Sequence, residues 1–405
     1  MRDSQKPTMV NYEPTSLYFH IPFCIHRCGY CDFNTYAGKN DLIPAYVEAL
    51  RKEIKTVSNN IEGKLEVNTI FFGGGTPSLI NYDQFSGLLK TIQQSFTINK
   101  NAEISLEANP GTVNIEYLKS LIELGFNRLS LGVQSTDPDE LRLLERIHSR
   151  EDIFGSVESA RIAGFKNLNL DLIYGLPDQT IKTWKSSLLD VVKLKPEHLS
   201  LYALSIEKGT SFGLKVKKGL MNFPDPDLAA DLYIWSSKEL EKSGFQQYEI
   251  SNWAKNGYEC KHNLQIWHNR SYLGFGAGAH GYANNLRVSN VLRIKEYINR
   301  IANDNNLENG KIIRVFPLSP ATISKTKIST RIKMQESLML GLRLTHEGVS
   351  AKEFQKNYGE SLMEKFGKEI TALVNLNLLE WRNDSVRLTQ RGRLLGNQVF
   401  LRFVD

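Results

Sequence analysis

The sequence lacks several features that mark broad classes of protein. Only four of its 405 residues are cysteines, and three of those lie between positions 24 and 31, which excludes the disulfide framework of a secreted protein. No apolar run approaches the roughly 18 residues of a membrane span, and residues 1–16 contain no signal-peptide core. The formal charge of +6 is spread over 50 basic and 44 acidic residues. We therefore expect a cytoplasmic globular protein with no transmembrane segment and no nucleic-acid partner.

What the first half contains is a repeated alternation of strand and helix. Strands are predicted at 16–20, 68–72, 103–107, 128–132, 167–173 and 198–204. Helices are predicted between them at 41–57 with Asp41 as N-cap, 82–95, 114–124, 138–147, 151–163 and 180–194. Six such units predict an α/β fold with a parallel sheet, either a partial (β/α)6 barrel or a doubly wound sheet. Glycine-rich and polar segments follow the strands, so we expect the chemistry at their carboxyl ends.

The pattern changes after residue 209, where we expect a C-terminal α+β elaboration. Residues 215–218, 222–226 and 319–330 are predicted as linkers, with a helix at 228–243 and a segment rich in glycine and aromatic residues at 248–282. Helices at 332–342, 350–356 and 359–376 followed by a hairpin at 378–388 indicate a winged-helix-like module. The predicted divisions are an N-terminal arm at 1–15, the partial barrel at 16–210, a linker and extension at 211–330, and the module at 331–405.

Three cysteines directly follow the first predicted strand. Cys24, Cys28 and Cys31 have the spacing C-x3-C-x2-C, and thiolates this close together converge on one metal centre. Three ligands are one short of the usual four for a 4Fe–4S cluster or a structural zinc ion. An iron without a protein ligand can bind a small molecule instead. The alternative from spacing alone is zinc, with His20 or His26 as the fourth ligand.

This motif, placed after the first strand of a βα domain, resembles the radical S-adenosylmethionine (SAM) superfamily. The resemblance implies a 4Fe–4S cluster whose fourth iron is chelated by the methionyl group of SAM. It also implies that Tyr30 packs beside the adenine and that Tyr18 sits beside the cluster and cofactor. The turn containing Gly74, Gly75 and Thr76 would hold the methionyl end, although a structural tight turn explains these residues equally well on their own.

Four polar residues stand at or just beyond the ends of strands three to five: Glu107, Gln134, Arg146 and Asp171. Each alone is as well explained as a helix cap or a solvated loop residue. All four lie on one predicted face of the sheet. The resemblance implies that they bind the hydroxyls, the amine and the adenine of SAM.

The sequences of several segments resemble those of one family within the superfamily, the oxygen-independent coproporphyrinogen III oxidases. The similar segments run from about residue 16 to the C-terminus and include His-Ile-Pro-Phe-Cys24, Gly-Gly-Gly-Thr76-Pro, Gly-Val-Gln134-Ser and Asp171-Leu-Ile-Tyr-Gly-Leu-Pro. They are specific in combination. The family has an oxidase branch and a HemW-type heme chaperone branch.

Three features favour the chaperone branch. Phe33 stands where the oxidases usually have a fourth cysteine, and only 23 residues precede Cys24. Residues 262–267 read His-Asn-Leu-Gln-Ile-Trp and resemble the HNxxYW signature of the chaperones, with Ile266 in place of tyrosine. The resemblance implies heme as a ligand and heme-acceptor proteins as partners, with membrane-associated respiratory haemoproteins as candidates. His262 is the candidate heme contact. The alternative function is oxidative decarboxylation of coproporphyrinogen III.

Overall fold

The computed structural model describes residues 15–61, 63–304, 307–308, 311–312 and 315–404. The predicted arm therefore lies outside the described residues except for Thr15. The strands of the first half are β1 (Thr15–Ile21), β2 (Phe23–Cys24), β3 (Tyr36–Ala37), β4 (Glu66–Gly74), β5 (Thr97–Ala108), β6 (Arg128–Gln134), β7 (Leu168–Tyr174) and β8 (His198–Ala203). The helices between them are α1 (Ile43–Ser58), α2 (Tyr82–Ser95), α3 (Ile115–Glu123), α4 (Pro138–Leu143), α5 (Arg150–Ala163) and α6 (Ile181–Lys193).

The six predicted parallel strands are all present. They pair in the order β1-β4-β5-β6-β7-β8, each parallel to the next, because each helical crossover returns the chain in the same direction. β2 and β3 form a separate parallel pair around the cysteine loop. The helix starts of α2, α3, α5 and α6 are capped by the side chains of Asn81, Asn114, Ser149 and Thr180, which explains why their boundaries were predictable.

Two helix boundaries were predicted wrongly. Asp41 does not cap α1, because it lies inside a short 3-10 helix, Asn40–Leu42, and α1 begins at Ile43 without a side-chain cap. α4 ends at Leu143 rather than at 147, since Glu145 adopts a left-handed backbone conformation with φ of 56° that an α-helix cannot continue through.

The second half contributes further strands to the same sheet. Its elements are α7 (Ser211–Lys217), α8 (Pro226–Lys242), β9 (Gln246–Glu249), β10 (Asn252–Ala254), α9 (Lys261–Trp267), β11 (Tyr272–Phe275), β12 (His280–Ala283), β13 (Leu286–Asn290), α10 (Ile294–Ala302), β14 (Leu307–Glu308), β15 (Lys311–Ile312) and β16 (Thr322–Lys327). The full strand order is β16-β13-β12-β11-β1-β4-β5-β6-β7-β8-β10-β9. Within the described residues the two ends of this order do not pair with each other.

Two segments predicted as linkers are regular structure. Residues 215–217 lie in α7, and β16 occupies half of 319–330 as the edge strand beside β13. β11 is a seventh parallel strand, pairing Ser16 with Tyr272 and Phe19 with Phe275 along β1. The glycine- and aromatic-rich segment is therefore part of the central sheet.

A buried carboxylate joins α1 to this second half. Glu53 is fully buried and accepts hydrogen bonds from the Gly276 amide at 2.9 Å and from Asn290 Nδ2, Tyr297 Oη and Ser319 Oγ at 2.7 Å each. Every donor comes from residues 276–319. Four donors compensate the cost of burying the group, so Glu53 acts as a polar anchor inside an apolar layer.

The C-terminal module follows the predicted order. It contains α11 (Thr330–Gly341), β17 (Val349–Ser350), α12 (Ala351–Tyr358), α13 (Leu362–Asn375), β18 (Leu379–Arg382), β19 (Ser385–Leu388), α14 (Gln390–Leu394) and α15 (Gly396–Phe400). Its three strands form their own sheet, β17-β19-β18, over a separate apolar cluster. The domain boundaries themselves stay predictions. No helix among the described residues has the length and apolar character to cross a membrane.

The parallel strands have two chemically different faces. One face is apolar and packs against the helices in the main core; it includes Leu17, Phe19, Ile70, Phe72, Leu106, Leu129, Leu131, Leu170 and Leu199. The alternate residues on the other face are mostly polar, and many line a single internal cavity. Successive side chains of a strand point to opposite faces, so this alternation separates the core from the cavity.

Candidate functional site

The cavity has a volume of about 580 Å³ and extends along the polar face of the sheet. At one end it reaches the cysteine loop beyond the carboxyl ends of the strands. At the other end it reaches α9, which lies against β1 and β4. The volume is within the range of small-molecule and cofactor sites. Twelve of the thirteen predicted site residues line this one cavity: Tyr18, Cys24, Cys28, Tyr30, Cys31, Gly74, Gly75, Glu107, Gln134, Arg146, Asp171 and His262.

Thr76 is the predicted site residue that does not line the cavity. Its buried hydroxyl donates to Cys24 Sγ at 3.7 Å and accepts from Asn109 Nδ2 at 2.8 Å. Thr35 Oγ1 lies 3.6 Å from Cys31 Sγ in the same way. Threonine hydroxyl groups therefore contact two of the three cysteine sulfur atoms and help to position them.

The cysteine loop does not have the donors of a mononuclear zinc site. His20 has both ring nitrogens occupied, with Nε2 donating to the Asn34 carbonyl at 2.9 Å and Nδ1 accepting from the Tyr18 hydroxyl at 2.9 Å. His26 is exposed and faces Glu145 at 3.8 Å. Among the described residues, no three His, Cys, Asp or Glu side chains are grouped as ligands of a single metal ion. Neither histidine is therefore placed by this structure as a fourth ligand beside the three cysteines.

The glycine turn after β4 packs tightly against this loop. Gly74 has φ of +111°, and a Cβ on it would meet the His20 ring at 2.5 Å. A Cβ on Gly75 would meet the carbonyl oxygen of Phe23 at 2.6 Å and Cys24 Sγ at 3.1 Å. Only glycine fits at these two positions, so the turn places backbone without side chains beside the three cysteines.

Two buried carboxyl groups, Glu107 on β5 and Asp171 on β7, line the cavity on the same face of the sheet. Glu107 accepts from the Gly74 amide at 3.0 Å, and Asp171 accepts from Ser130 Oγ at 2.9 Å and Asn169 Nδ2 at 2.7 Å. Burial and the charge of Asp171 raise the pKa of Glu107 to about 7. Burial likewise raises the pKa of Asp171. Two carboxyl groups in a buried site favour a ligand that brings positive charge or hydrogen-bond donors.

Arg146 connects the cysteine loop to the sheet. Its Nη1 donates to Cys28 Sγ at 3.4 Å, and its Nη2 donates to the Gly132 carbonyl at 2.8 Å and to Asn109 Oδ1. Gln134 stands beside it at the end of β6 with φ of 67°, and its buried Oε1 has no partner among the described residues. Backbone strain and an unsatisfied acceptor at a strand end are characteristic of ligand-binding positions.

The opposite end of the cavity is built on α9. The buried carboxylate of Glu103 on β5 accepts hydrogen bonds from the backbone amides of Lys261 and His262, both at 3.1 Å, and from the Cys260 thiol at 3.6 Å. The Cys260 side chain is fully buried at this contact. An acid at a helix N-terminus stabilises the unpaired amide groups and their positive partial charge. α9 is therefore held in position by the sheet.

His262 on α9 has one occupied and one open ring nitrogen. Nδ1 lies 2.8 Å from Thr69 Oγ1, and the Thr69 hydroxyl donates its own proton to Ser16 Oγ at 2.7 Å. Nδ1–H is therefore the donor, which leaves the lone pair on Nε2. Nε2 is buried without a partner among the described residues. Burial and the charge of Arg128 lower the pKa of His262 to about 3, so the imidazole is neutral.

The sequence reasoning missed two residues of this end, Glu103 and Arg128. Both face the cavity side of strands whose other positions are apolar, and Arg128 lines the cavity directly. The sequence signal for these two residues is an alternation of polar and apolar residues with a period of two. Glu103, Ser105 and Glu107 alternate with apolar residues in β5, as Arg128 and Ser130 do in β6. In a sheet with one face packed against helices, such alternation indicates that the other face is polar.

The chain is similar in sequence to two families of domain. Residues 18–191 match the radical SAM superfamily, and residues 328–395 match the HemN C-terminal domain. It is 40% identical over 391 residues to the heme chaperone HemW of Bacillus subtilis, covering 96% of this chain and 99% of that protein. It is 36% identical over 392 residues to the heme chaperone HemW of Lactococcus lactis, covering 97% and 98%.

The fold is similar to a solved structure of a related enzyme. Coproporphyrinogen III oxidase (HemN) from Escherichia coli, a radical SAM enzyme, superposes with a TM-score of 0.82 at 26% sequence identity, covering 97% of this chain and 90% of that one. The similarity therefore extends over the parallel sheet, the additional strands and the C-terminal module.

Proposed function

Because the chain belongs to the HemW heme chaperone family of the radical SAM superfamily, we propose that it binds heme and transfers it to an acceptor protein. The acceptors proposed are respiratory haemoproteins associated with the membrane. We also propose the domain order predicted from the sequence. It is a partial barrel at 16–210, followed by an extension and a C-terminal module.

The observation that carries the proposal is the open nitrogen of His262. A neutral imidazole with a free lone pair is a common axial ligand of heme iron. The hydrogen bond from Nδ1 to Thr69 holds the ring in one orientation and one tautomer, as is usual for histidines that bind metals. Phe71 stacks on His262 with 5.0 Å between the ring centroids, and Ile266 lines the same part of the cavity. An apolar surface beside an imidazole suits a macrocycle.

We further propose that Cys24, Cys28 and Cys31 hold a 4Fe–4S cluster and that SAM is an exchangeable ligand of its fourth iron. The cluster and SAM, when bound, supply one-electron chemistry. The turn at Gly74 and Gly75 leaves room for the methionyl end of SAM, with Thr76 behind it. Glu107 attracts the amine, Arg146 attracts the carboxylate, and Asp171, Gln134 and Tyr30 are available to the ribose and adenine. Tyr18 orders His20 beside this group.

The test is a titration of anaerobic protein with heme, followed by its Soret band. The wild type is expected to give a saturable shift. His262→Gln keeps a hydrogen-bonding group near Thr69 but removes the imidazole, so the shift should be lost or moved. His268→Gln is the matched control, because His268 follows α9 and pairs with Glu347 outside the cavity. Transfer to an apo-haemoprotein is then measured by separating the two proteins. An unchanged Soret shift in His262→Gln contradicts the proposed ligand.

A second candidate function is supported by the similarity to coproporphyrinogen III oxidase. Incubation of reconstituted protein with coproporphyrinogen III, SAM and a reductant distinguishes the two. Phe33 is exposed at the mouth of the cavity, where the oxidases usually have a cysteine. We expect no protoporphyrinogen, and sustained turnover would favour the oxidase function instead.

A further inference from the structure

A buried arginine at the α9 end of the cavity makes no hydrogen bond to any described residue. Arg128 is the first residue of β6, only 2% of its surface is exposed, and its side chain lines the cavity. Its Nε has no acceptor, and no described residue accepts from the rest of its guanidinium group. Buried arginines are normally paired, because an isolated buried charge is costly. An unpaired guanidinium facing a cavity is therefore a candidate for binding an anionic group.

The acidic groups near Arg128 do not supply the missing partner. Burial lowers the pKa of Arg128, but the neighbouring acidic groups together outweigh it, and the pKa is raised overall. Burial raises the pKa of the Cys260 thiol to about 12, so that group is neutral at pH 7. Glu103 already accepts from Lys261, His262 and Cys260. Arg128 thus keeps a full positive charge and free donors.

The two arginines of the cavity serve different ends of it. Arg146 is bonded to Cys28 and to the carbonyl of Gly132, near the carboxyl end of β6. Arg128 stands at the amino end of the same strand, and its charge acts on His262. A ligand held by Arg128 therefore lies beside the open Nε2 of His262 rather than beside the cysteine loop.

We propose that Arg128 binds a carboxylate of the porphyrin cargo, a propionate of heme, in the same part of the cavity as His262. This inference rests on the proposed function and adds a second contact to it. A guanidinium group suits a carboxylate because its N–H donors match the two oxygens. The same carboxylate chemistry is also carried by the methionyl group of SAM, and the experiment separates these two sources.

The experiment compares heme with its dimethyl ester, which has the same ring and iron but no carboxylate. In the wild type, heme should bind about 10- to 100-fold more tightly than the ester, as charged hydrogen bonds of this kind provide. In Arg128→Met the affinity for the ester should stay while the preference for heme falls to about threefold or less. Arg142→Met is the matched control, since Arg142 is exposed and pairs with Asp139 on α4. It should keep the full preference.

Several outcomes overturn the inference, and they differ from a failure of the proposed function. An unchanged preference for heme in Arg128→Met refutes the contact while heme binding itself persists. Weakened SAM binding with an intact heme preference assigns Arg128 to the methionyl carboxylate instead. No saturable heme binding in the wild type removes the proposed function and this inference together.

Folding is controlled independently. If Arg128 serves a ligand, the ligand-free Arg128→Met protein should be as heat-stable as the wild type or more so, because a buried charged group without a hydrogen-bond partner among the described residues has been removed. Arg128→Lys keeps the charge and should restore part of the heme preference. A large loss of thermal stability in both variants would identify Arg128 as a structural residue.

Discussion

The carboxylate of Glu103 accepts a hydrogen bond from the backbone amide of His262 at 3.1 Å, across 159 positions of the chain. A strand of the sheet thereby determines where the candidate heme ligand stands. The contact also compensates the open N-terminus of α9, which has no cap from its own side chains. The position of His262, the candidate heme ligand, is therefore fixed by the sheet.

Replacing Glu103 should weaken the attachment of α9 to the sheet. Glu103→Gln keeps one acceptor oxygen but loses the charge and one of the two amide contacts, so we expect a loss of about 1–3 kcal/mol in the free energy of unfolding. Urea denaturation measures it. Glu116→Gln is the control, because Glu116 is exposed in the first turn of α3 and should cost only about 0.3–1 kcal/mol. Equal losses in the two variants would contradict the role assigned to Glu103.

The four cysteines should separate into two classes. Cys28→Ala should lose the 4Fe–4S absorbance and the EPR signal of the reduced protein, because two thiolates and an open iron hold a cluster poorly. Cys260→Ala should keep both signals, since the Cys260 thiol is fully buried against Glu103 at the other end of the cavity. Iron content per chain is the measurement. A cluster retained in Cys28→Ala, or lost in Cys260→Ala, would refute the assignment.

SAM binding should depend on pH through Glu107. The pKa of this carboxyl is about 7, raised by burial and by Asp171. Because the ionised form attracts the positive charges of SAM, the affinity should rise about tenfold from pH 6 to pH 8 and level off above that. Isothermal titration calorimetry in anaerobic buffers checks this. Glu107→Gln should bind more weakly and show a flat profile, whereas Asp139→Asn on the exposed face of α4 should follow the wild type.

The same pKa has a consequence for stability with the opposite direction. A carboxyl with a folded pKa above its unfolded value contributes stability below the unfolded pKa, and this contribution is lost as the pH rises through about 7. Ligand-free Glu107→Gln should therefore gain stability relative to the wild type as the pH increases from 5 to 8. A difference that is constant over this range would show that Glu107 does not titrate there.

Glu53 should be among the most sensitive positions outside the cavity. Glu53→Ala leaves four buried donors of residues 276–319 without an acceptor, and we expect a loss of about 3–5 kcal/mol. Glu48→Ala on the same helix is the control, because Glu48 is exposed and pairs with Arg51, a contact worth about 0–1 kcal/mol. Thermal or chemical denaturation compares them. Similar losses would mean that the anchor does not hold the two halves together.

Much of the parallel sheet could be predicted because its signals are local. Strands β4 to β8 each contain closely spaced apolar residues followed by glycine or polar residues, and most helices between them start at a recognisable cap. The three cysteines and the glycine turn were recognisable for the same reason. Their chemistry depends on neighbours in the sequence.

The parts that were missed depend on distant neighbours. β11 has only four residues, Tyr-Leu-Gly-Phe, and becomes a central strand because β1 offers it a free edge. β16 has a largely exposed pattern and forms only by pairing with β13. Arg128 and Glu103 gain their roles from α9, more than 130 positions away. Local propensity cannot reveal such pairings, since tertiary contacts decide them.

The pairing of β1 with β11 also orders events during synthesis. Ser16 and Tyr272 are 256 positions apart (272 minus 16), so the strand made first receives this neighbour long after the β1–β4 pair can form. At about 5–20 residues per second, a ribosome needs roughly 13–51 s to make the intervening chain. During that interval β1 presents an unpaired edge that other strands can join. A nascent chain stalled before residue 272 should therefore be a preferred client of cellular holdases.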